Sequence, residues 1–373
     1  MGRNNKKEEF LMKKAIAIVL LLAMVLSTVA CAAPAAEPAE VAAPVETKAV
    51  VEETAAPEEP AVLEYPVRPI QNVIPFGAGG GTDVWNRALM AAMGEIMGQT
   101  IVSANMTGGS AGSIGIDYAW KSNHDGYTLA GTSETPLTIP VQTGLPQTSK
   151  DWSYFIAAGS PGVLCVNKNS QYKSMDEILA ALTANPESVS IAGTTGGLWF
   201  ALAKLFESYG DVPFKWLPYD GSGPAIKGAV SNEADCVVAS AGEVKDFVRA
   251  GDLIPLVVMS TEDWEFPEFG NVEAVTKKVP ALGAYLPLIQ FLGFKVPADT
   301  DPAIIAYLQD AFKQAMDSDA IKTFAGEQLC VMYNLTGAEA SQMAAAVESK
   351  LCWVLYDMGQ TKFSPEEFGI PKP

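Results

Sequence analysis

The chain has 373 residues, with 25 Lys and Arg against 43 Asp and Glu, a formal charge of −18. An acidic body repels phosphate backbones, and only four arginines are present (Arg3, Arg68, Arg87 and Arg249) with no basic stripe, which excludes nucleic acid as a partner. Five cysteines without Cys-x-x-Cys spacing and a single histidine, His124, argue against a metal site, and no cofactor-binding motif stands out.

At the N-terminus Lys13 and Lys14 precede the apolar run Ala15 to Ala30, which ends in Ser27-Thr28-Val29-Ala30 before Cys31. This is the layout of a signal peptide over 1–30, too short for the roughly 20 residues that span a bilayer as a helix. Cys31 after Val29 and Ala30 resembles the bacterial lipoprotein cleavage site, with Thr28 where that pattern usually has Leu. The resemblance implies a lipidated Cys31 that anchors the mature chain to the outside of a membrane. Residues 31–63 are nearly all Ala, Pro, Glu, Val and Thr; such a stretch cannot bury a core and reads as an extended, disordered tether. Losing the signal moves the net charge from −18 to about −21.

The remainder is long enough for two lobes of ordinary size. A strand is predicted over Ile70 to Phe76, then a helix from Asp83 to Gly98 and a strand over Thr100 to Ala104. Strands follow at Tyr127 to Gly131, Ser188 to Ala192 and Cys236 to Ala239, the last two leading into helices Leu198 to Tyr209 and Glu243 to Arg249. Two more helices are predicted near Pro302 to Met316, opened by Asp301-Pro302, and Ala338 to Met358. This alternation argues for doubly wound α/β lobes. The four body cysteines, Cys165, Cys236, Cys330 and Cys352, read as buried thiols; an exported chain could also pair them, Cys330 with Cys352 being nearest.

Pro75-Phe76-Gly77-Ala78-Gly79-Gly80-Gly81-Thr82-Asp83 passes from strand to helix through four glycines. Glycine lets bare N–H groups approach a ligand, and a helix N-terminus adds unpaired donors, so the loop suits a carboxylate or phosphate. A tight turn capped by Thr82 or Asp83 explains it equally well. A rival class is a hydrolase using Ser110 in Gly108-Gly109-Ser110-Ala111-Gly112. That elbow needs a strand, a helix and a later histidine behind an acid, whereas His124 follows closely with Asp117 between, and no carboxylate pair stands out for acid–base work.

Tyr65 to Ile70, the glycine loop, Gly108 to Gly115, Asp125 to Leu129, Pro218 to Ala225 and Val296 to Pro302 together resemble, in order, the receptors of tripartite tricarboxylate transporters, the Bug proteins. The resemblance implies an α/β, two-lobed periplasmic-binding-protein fold of type II-like topology, its lobes joined by two crossing strands, placed near Val163 to Val166 and Gln290 to Lys295. It divides the body into lobe 1 (64–165 and 293–373) and lobe 2 (166–292). It further implies a monomer that is not an enzyme, captures a small organic carboxylate and passes it to permease subunits.

Carried over by the same resemblance, one ligand loop is Gly79, Gly80, Gly81 and Thr82, and the other is Thr194, Thr195, Gly196 and Gly197. Ser133, Thr135, Tyr219, Ser222 and Ser240 are further candidate contacts, each with a plain turn role as its alternative. The family often has a hydroxyl residue and a histidine where this chain has Gly197 and Phe200, and an acid near Ala239. Those departures suggest a ligand with a less polar far end rather than an amino acid; the Trp199-Phe200 pair could equally be helix packing.

Overall fold

The computed structural model describes residues 63–373 apart from Glu268 and Ile289. The expected signal peptide, Cys31 and all but the last residue of the tether lie outside the described residues.

Ile70–Ile74 (β1) leads into helix Gly81–Met97, then Ile101–Asn105 (β2), helix Ser113–Lys121 and Thr128–Ser133 (β3). β1 sits between the other two and pairs in parallel with both. In helix Gly81–Met97 the residues Trp85, Leu89, Met93 and Met97 recur every fourth position and are all buried. This is the apolar stripe that fixes the helix to its sheet, worth about 1.5–3 kcal/mol for each large side chain taken from water. Trp152–Gly159 (β4) is the last strand before the chain leaves this sheet.

Two residues, Ser160 and Pro161, carry the chain across, and Gly162–Asn167 (β5) belongs to a second sheet. Helix Met175–Ala184, Ser190–Gly193 (β6), helix Leu198–Gly210, Lys215–Pro218 (β7), helix Ser222–Val230, Cys236–Ser240 (β8), helix Ala241–Arg249 and Leu253–Val258 (β9) complete it, in the order β7-β6-β8-β5-β9. A hairpin of Trp264–Phe266 (β10) and Gly270–Val272 (β11) follows. The chain returns as Leu292–Pro297 (β12), helix Pro302–Asp317, helix Asp319–Glu327, Val331–Thr336 (β13) and helix Gly337–Asp357, giving a first sheet ordered β13-β4-β12-β3-β1-β2. The molecule is thus a two-lobed α/β protein. Asp301 caps helix Pro302–Asp317 by accepting from the Ala303 N–H at 2.8 Å, with Pro302 in the first turn, as Asp301-Pro302 foreshadows.

Two assignments made from sequence need correcting. The lobe boundary expected at 165/166 falls inside β5, which pairs with β8 and β9 along Gly162 to Asn167; the change of sheet comes earlier, at Ser160-Pro161. The two crossing segments lie against each other, since a Cβ on Gly159 would meet the Gln290 carbonyl oxygen at 2.1 Å and the Ser160 N–H donates to Gln290 Oε1 at 3.1 Å. Nor does 293–373 stay with the first sheet. Helix Gly337–Asp357 starts against β4, but Leu351 and Leu355 cluster with Phe200 and Ala201 of the second lobe. Its sequence is apolar on more than one side, which lets one helix serve both lobes. All four body cysteines are free thiols, Cys330 only partly buried.

Candidate ligand-binding cleft

The first glycine loop is shaped by its own helix and by the opposite lobe. Gly79 takes φ +84°, a left-handed conformation that favours glycine, and its N–H donates to Asp83 Oδ2 at 2.9 Å. Asp83 also accepts from Arg87 Nε and Asn105 Nδ2, both at 2.8 Å, so its carboxylate closes the helix end and faces no ligand space. Gly77 N–H donates to the Asp220 carbonyl at 2.9 Å, and Gly81 N–H donates to Glu243 Oε1 at 2.5 Å; both acceptors are in lobe 2. Gly80 backs onto Gly223, where a Cβ would reach the Gly223 nitrogen at 3.2 Å. Among the described residues, the Thr82 and Asp83 N–H groups in the first helical turn have no protein acceptor.

The second loop is stitched to lobe 1. A Cβ on Gly197 would lie 2.3 Å from Thr135 Cγ2 and 2.8 Å from Thr135 Cβ, so only glycine permits this approach. Thr138 Oγ1 donates to the Gly196 carbonyl at 2.5 Å, Ala111 N–H to the Thr195 carbonyl at 3.2 Å, and Leu198 N–H to Thr135 Oγ1 at 3.4 Å. Trp216 Nε1 holds Thr195 Oγ1 at 3.0 Å. The lobes are therefore in direct contact along the cleft.

Between the loops is a small cavity of about 20 Å³ that is partly open to solvent. Five expected residues from both lobes meet on its wall: Thr82, Ser133, Thr135, Thr194 and Ser222. Gly79, Gly81 and Ser240 line a neighbouring recess beside Glu243, and Thr195 and Tyr219 line a wider mouth together with Ser110. Gly80, Gly196 and Gly197 line none of these spaces; their places are at lobe–lobe contacts. The Tyr219 hydroxyl is taken up by Glu233 at 3.2 Å.

The cavity also holds residues that the sequence reading missed. Glu134 and Glu243 both line it, with Gln290 and the rings of Phe76 and Trp199, and no lysine or arginine does. Burial pushes the Glu134 carboxyl up to about 8, partly offset by its own N–H, the Phe291 N–H and Thr135 Oγ1, with the Glu243 charge adding to the rise. Glu243 accepts from Gly81 N–H, from Ser240 N–H at 2.9 Å and from Ser240 Oγ at 2.7 Å. The acid that the family often has near Ala239 is absent, and two acids from other positions, Glu134 and Glu243, line the cavity. A capping-box signature, Ser240-x-x-Glu243, was there to be read, but nothing local says that its glutamate also crosses the cleft. Trp199 faces the cavity, whereas Phe200 packs on Trp216 with centroids 5.0 Å apart.

The hydrolase alternative finds no triad. His124 is held by Asp299 at 2.6 Å and by the Trp120 carbonyl at 2.8 Å, and no hydrogen bond joins it to Ser110 among the described residues.

Residues 86–354 match the family described as the tripartite tricarboxylate transporter family receptor. Protein BugT of Bordetella pertussis is 31% identical over 270 residues, which is 69% of this chain and 79% of that protein. The periplasmic binding protein BugD has a solved structure with TM-score 0.72 at 17% identity, covering 80% of this chain and 99% of BugD. MatC from Rhodopseudomonas palustris, solved with bound malate, gives TM-score 0.70 at 21% identity, covering 78% of this chain and all of that chain. The matched family is one of transporter receptors and not of enzymes. With the cleft of a two-lobed binding protein and a family match that spans both lobes, this chain belongs to the receptors of the tripartite tricarboxylate transporter family.

Proposed function

We propose that this receptor captures a small organic carboxylate in the cavity between its lobes and delivers it to the permease subunits of a tripartite tricarboxylate transporter. One observation carries the reading. Thr82, Ser133, Thr135, Thr194 and Ser222 converge from both lobes on one small cavity, where the first turn of helix Gly81–Met97 offers unpaired N–H groups. Hydroxyls and a helix N-terminus hold an anion without arginine, which suits an acidic protein, and malate in MatC is a ligand of the same chemistry. The chain acts outside the cytoplasm as a monomer, with Cys31 lipidated and residues 31–63 as the tether, and needs no cofactor.

A thermal-shift screen of organic acids on the mature chain tests the reading. A true ligand at 100 times its Kd adds about 2.7 kcal/mol to stability; a folded chain unmoved by every carboxylate would sink the proposal. Membrane fractionation tests the anchor, since Cys31→Ser should release a chain that the wild type retains. Equal retention of both would remove the lipid from the account.

A further inference from the structure

The two oxygens of Glu243 serve different lobes. Oε2 accepts from Ser240 N–H at 2.9 Å and from Ser240 Oγ at 2.7 Å, which ties down the start of helix Ala241–Arg249. Oε1 reaches out of lobe 2 and accepts from Gly81 N–H at 2.5 Å, at the first residue of helix Gly81–Met97. A Cβ on Gly81 would lie 3.2 Å from Glu243 Oε1 and 3.3 Å from its Cδ, so the carboxylate is packed against that helix end. Unpaired donors and partial positive charge make the place favourable for an anion. Other bonds across the cleft are uncharged: Thr138 Oγ1 donates to the Gly196 carbonyl and Leu198 N–H to Thr135 Oγ1. Hydrogen bonds to an ionised acceptor are roughly twice as strong as neutral ones.

The helix that carries Glu243 is fixed at the hinge. Ala241 N–H donates to the Pro161 carbonyl at 2.8 Å and Gly242 N–H to Ser160 Oγ at 3.2 Å, on the two residues where the chain changes sheets. A Cβ on Gly242 would lie 2.1 Å from the Gln328 carbonyl oxygen, so the same turn also bears on lobe 1. Glu243 thus stands near the pivot, where a rotation of the lobes separates atoms least. It is also the one residue common to the linings of the small cavity and of the neighbouring recess of about 170 Å³. The cavity, about 20 Å³, has room for roughly one water, so an organic acid enters only when the partition between the two spaces moves.

We propose that Glu243 is a positioning residue that latches the lobes: its carboxylate holds the end of helix Gly81–Met97 across the cleft without help from a ligand and lets go when one enters. Its likeness to a ligand's carboxylate rests on the reading above; the latch itself does not, and is tested with no ligand added. By setting the fraction of time the cleft is open, it sets the apparent affinity of the receptor.

Solution scattering and hydrogen exchange on the dialysed mature chain read the latch directly. Wild type should show the radius of gyration of lobes in contact and a protected Gly81 amide. Glu243→Ala removes the acceptor, so it should enlarge the radius and speed exchange at Gly81 by about tenfold or more. Glu243→Gln keeps the size and one acceptor without the charge; it should fold even where the alanine variant does not, and should lie between the two. Gly81→Pro takes away the donor instead. Proline suits the first helical turn, and Gly80 before it, at φ −81° and ψ 166°, already has the conformation that proline requires of its predecessor. It should also enlarge the radius, and adding Glu243→Ala to it should change nothing further. Were Glu243 only a cap on its own helix, Glu243→Ala and Glu243→Gln would lower the unfolding temperature and leave the radius and the Gly81 exchange as in wild type. That result overturns the proposal, as does a wild-type chain whose lobes already stand apart with Gly81 unprotected.

Discussion

Gly79 in the first glycine loop of the cleft and Gly197 in the second are glycine for different reasons. In the first, Gly79 is required by backbone geometry: its φ is +84°, yet a Cβ there would touch nothing within 4 Å. In the second, Gly197 is required by space, because a Cβ would drive into the Thr135 side chain of the opposite lobe. Each loop also answers to a glutamate differently. Glu243 reaches across the cleft to Gly81 N–H, whereas Glu134 stays beside Thr135, buried and poorly supplied with donors. At Gly79 the first loop is fixed by local backbone geometry, while at Gly197 the second depends on the approach of the opposite lobe.

The largest effect should come from breaking that contact. Gly197→Ala forces Thr135 away and the lobes apart, and ligand affinity should fall by about 100-fold or more, roughly 2.7 kcal/mol, with the unfolding temperature nearly unchanged. Calorimetry with the screened ligand and solution scattering with and without it measure this. Unchanged affinity would mean that the second loop does not depend on close approach.

Next comes the ionisation of Glu134. Glu134 has its folded value raised from 4.5 to about 8, so the folded state keeps a proton that the unfolded chain gives up across that window. Its contribution to stability is therefore complete below about pH 4.5 and is lost as pH rises towards 8. Relative to Glu134→Gln, wild type should lose on the order of 2 kcal/mol between pH 5 and 8. Lys295 and Glu348, both shifted to about 7, titrate in the same window but are common to both proteins and drop out of the difference. Parallel denaturant melts of the two proteins over that range would undermine the raised value.

Gly79→Ala sharpens the contrast from the other side. It meets no atom, so its cost is the left-handed backbone alone, about 1 kcal/mol of stability, and binding should weaken far less than in Gly197→Ala. A reversal of that order in calorimetry would exchange the roles assigned to the two loops.

The smallest effect is expected at Arg87, a cation one turn along the helix that the first loop opens. Its guanidinium is tied to Asp83, to Asn105 at 2.8 Å and to the Ser103 carbonyl at 3.4 Å, and its side chain is 47% exposed. Arg87→Gln should cost about 0.5 kcal/mol or less in stability and leave affinity within about twofold. Loss of binding in this variant would point to a cationic site in place of N–H donors.

Much of this architecture was legible in the residues themselves. Strand and helix positions such as β1, helix Leu198–Gly210 and helix Pro302–Asp317 follow from periodicity, caps and glycine punctuation, all of which act within a few residues. Ser133 and Thr135 were found because they follow a strand end, where open α/β sheets leave room for ligands, whereas Thr82, Thr194 and Ser222 came from the resemblance to the receptor family. Glu134 escaped notice although it lies between Ser133 and Thr135, because whether a strand-end side chain meets solvent or a closed cavity depends on the opposite lobe. For the same reason the sequence could mark Gly196 and Gly197 as loop glycines but could not show them filled against Ser110 and Thr135, nor show the C-terminal helix crossing to Phe200. Local hydrogen bonding and side-chain periodicity determined the elements of each lobe. The charge of the ligand space was decided only when two sheets brought distant loops together, since burial and the approach of one carboxylate to another are properties of the assembled cleft and of no single segment.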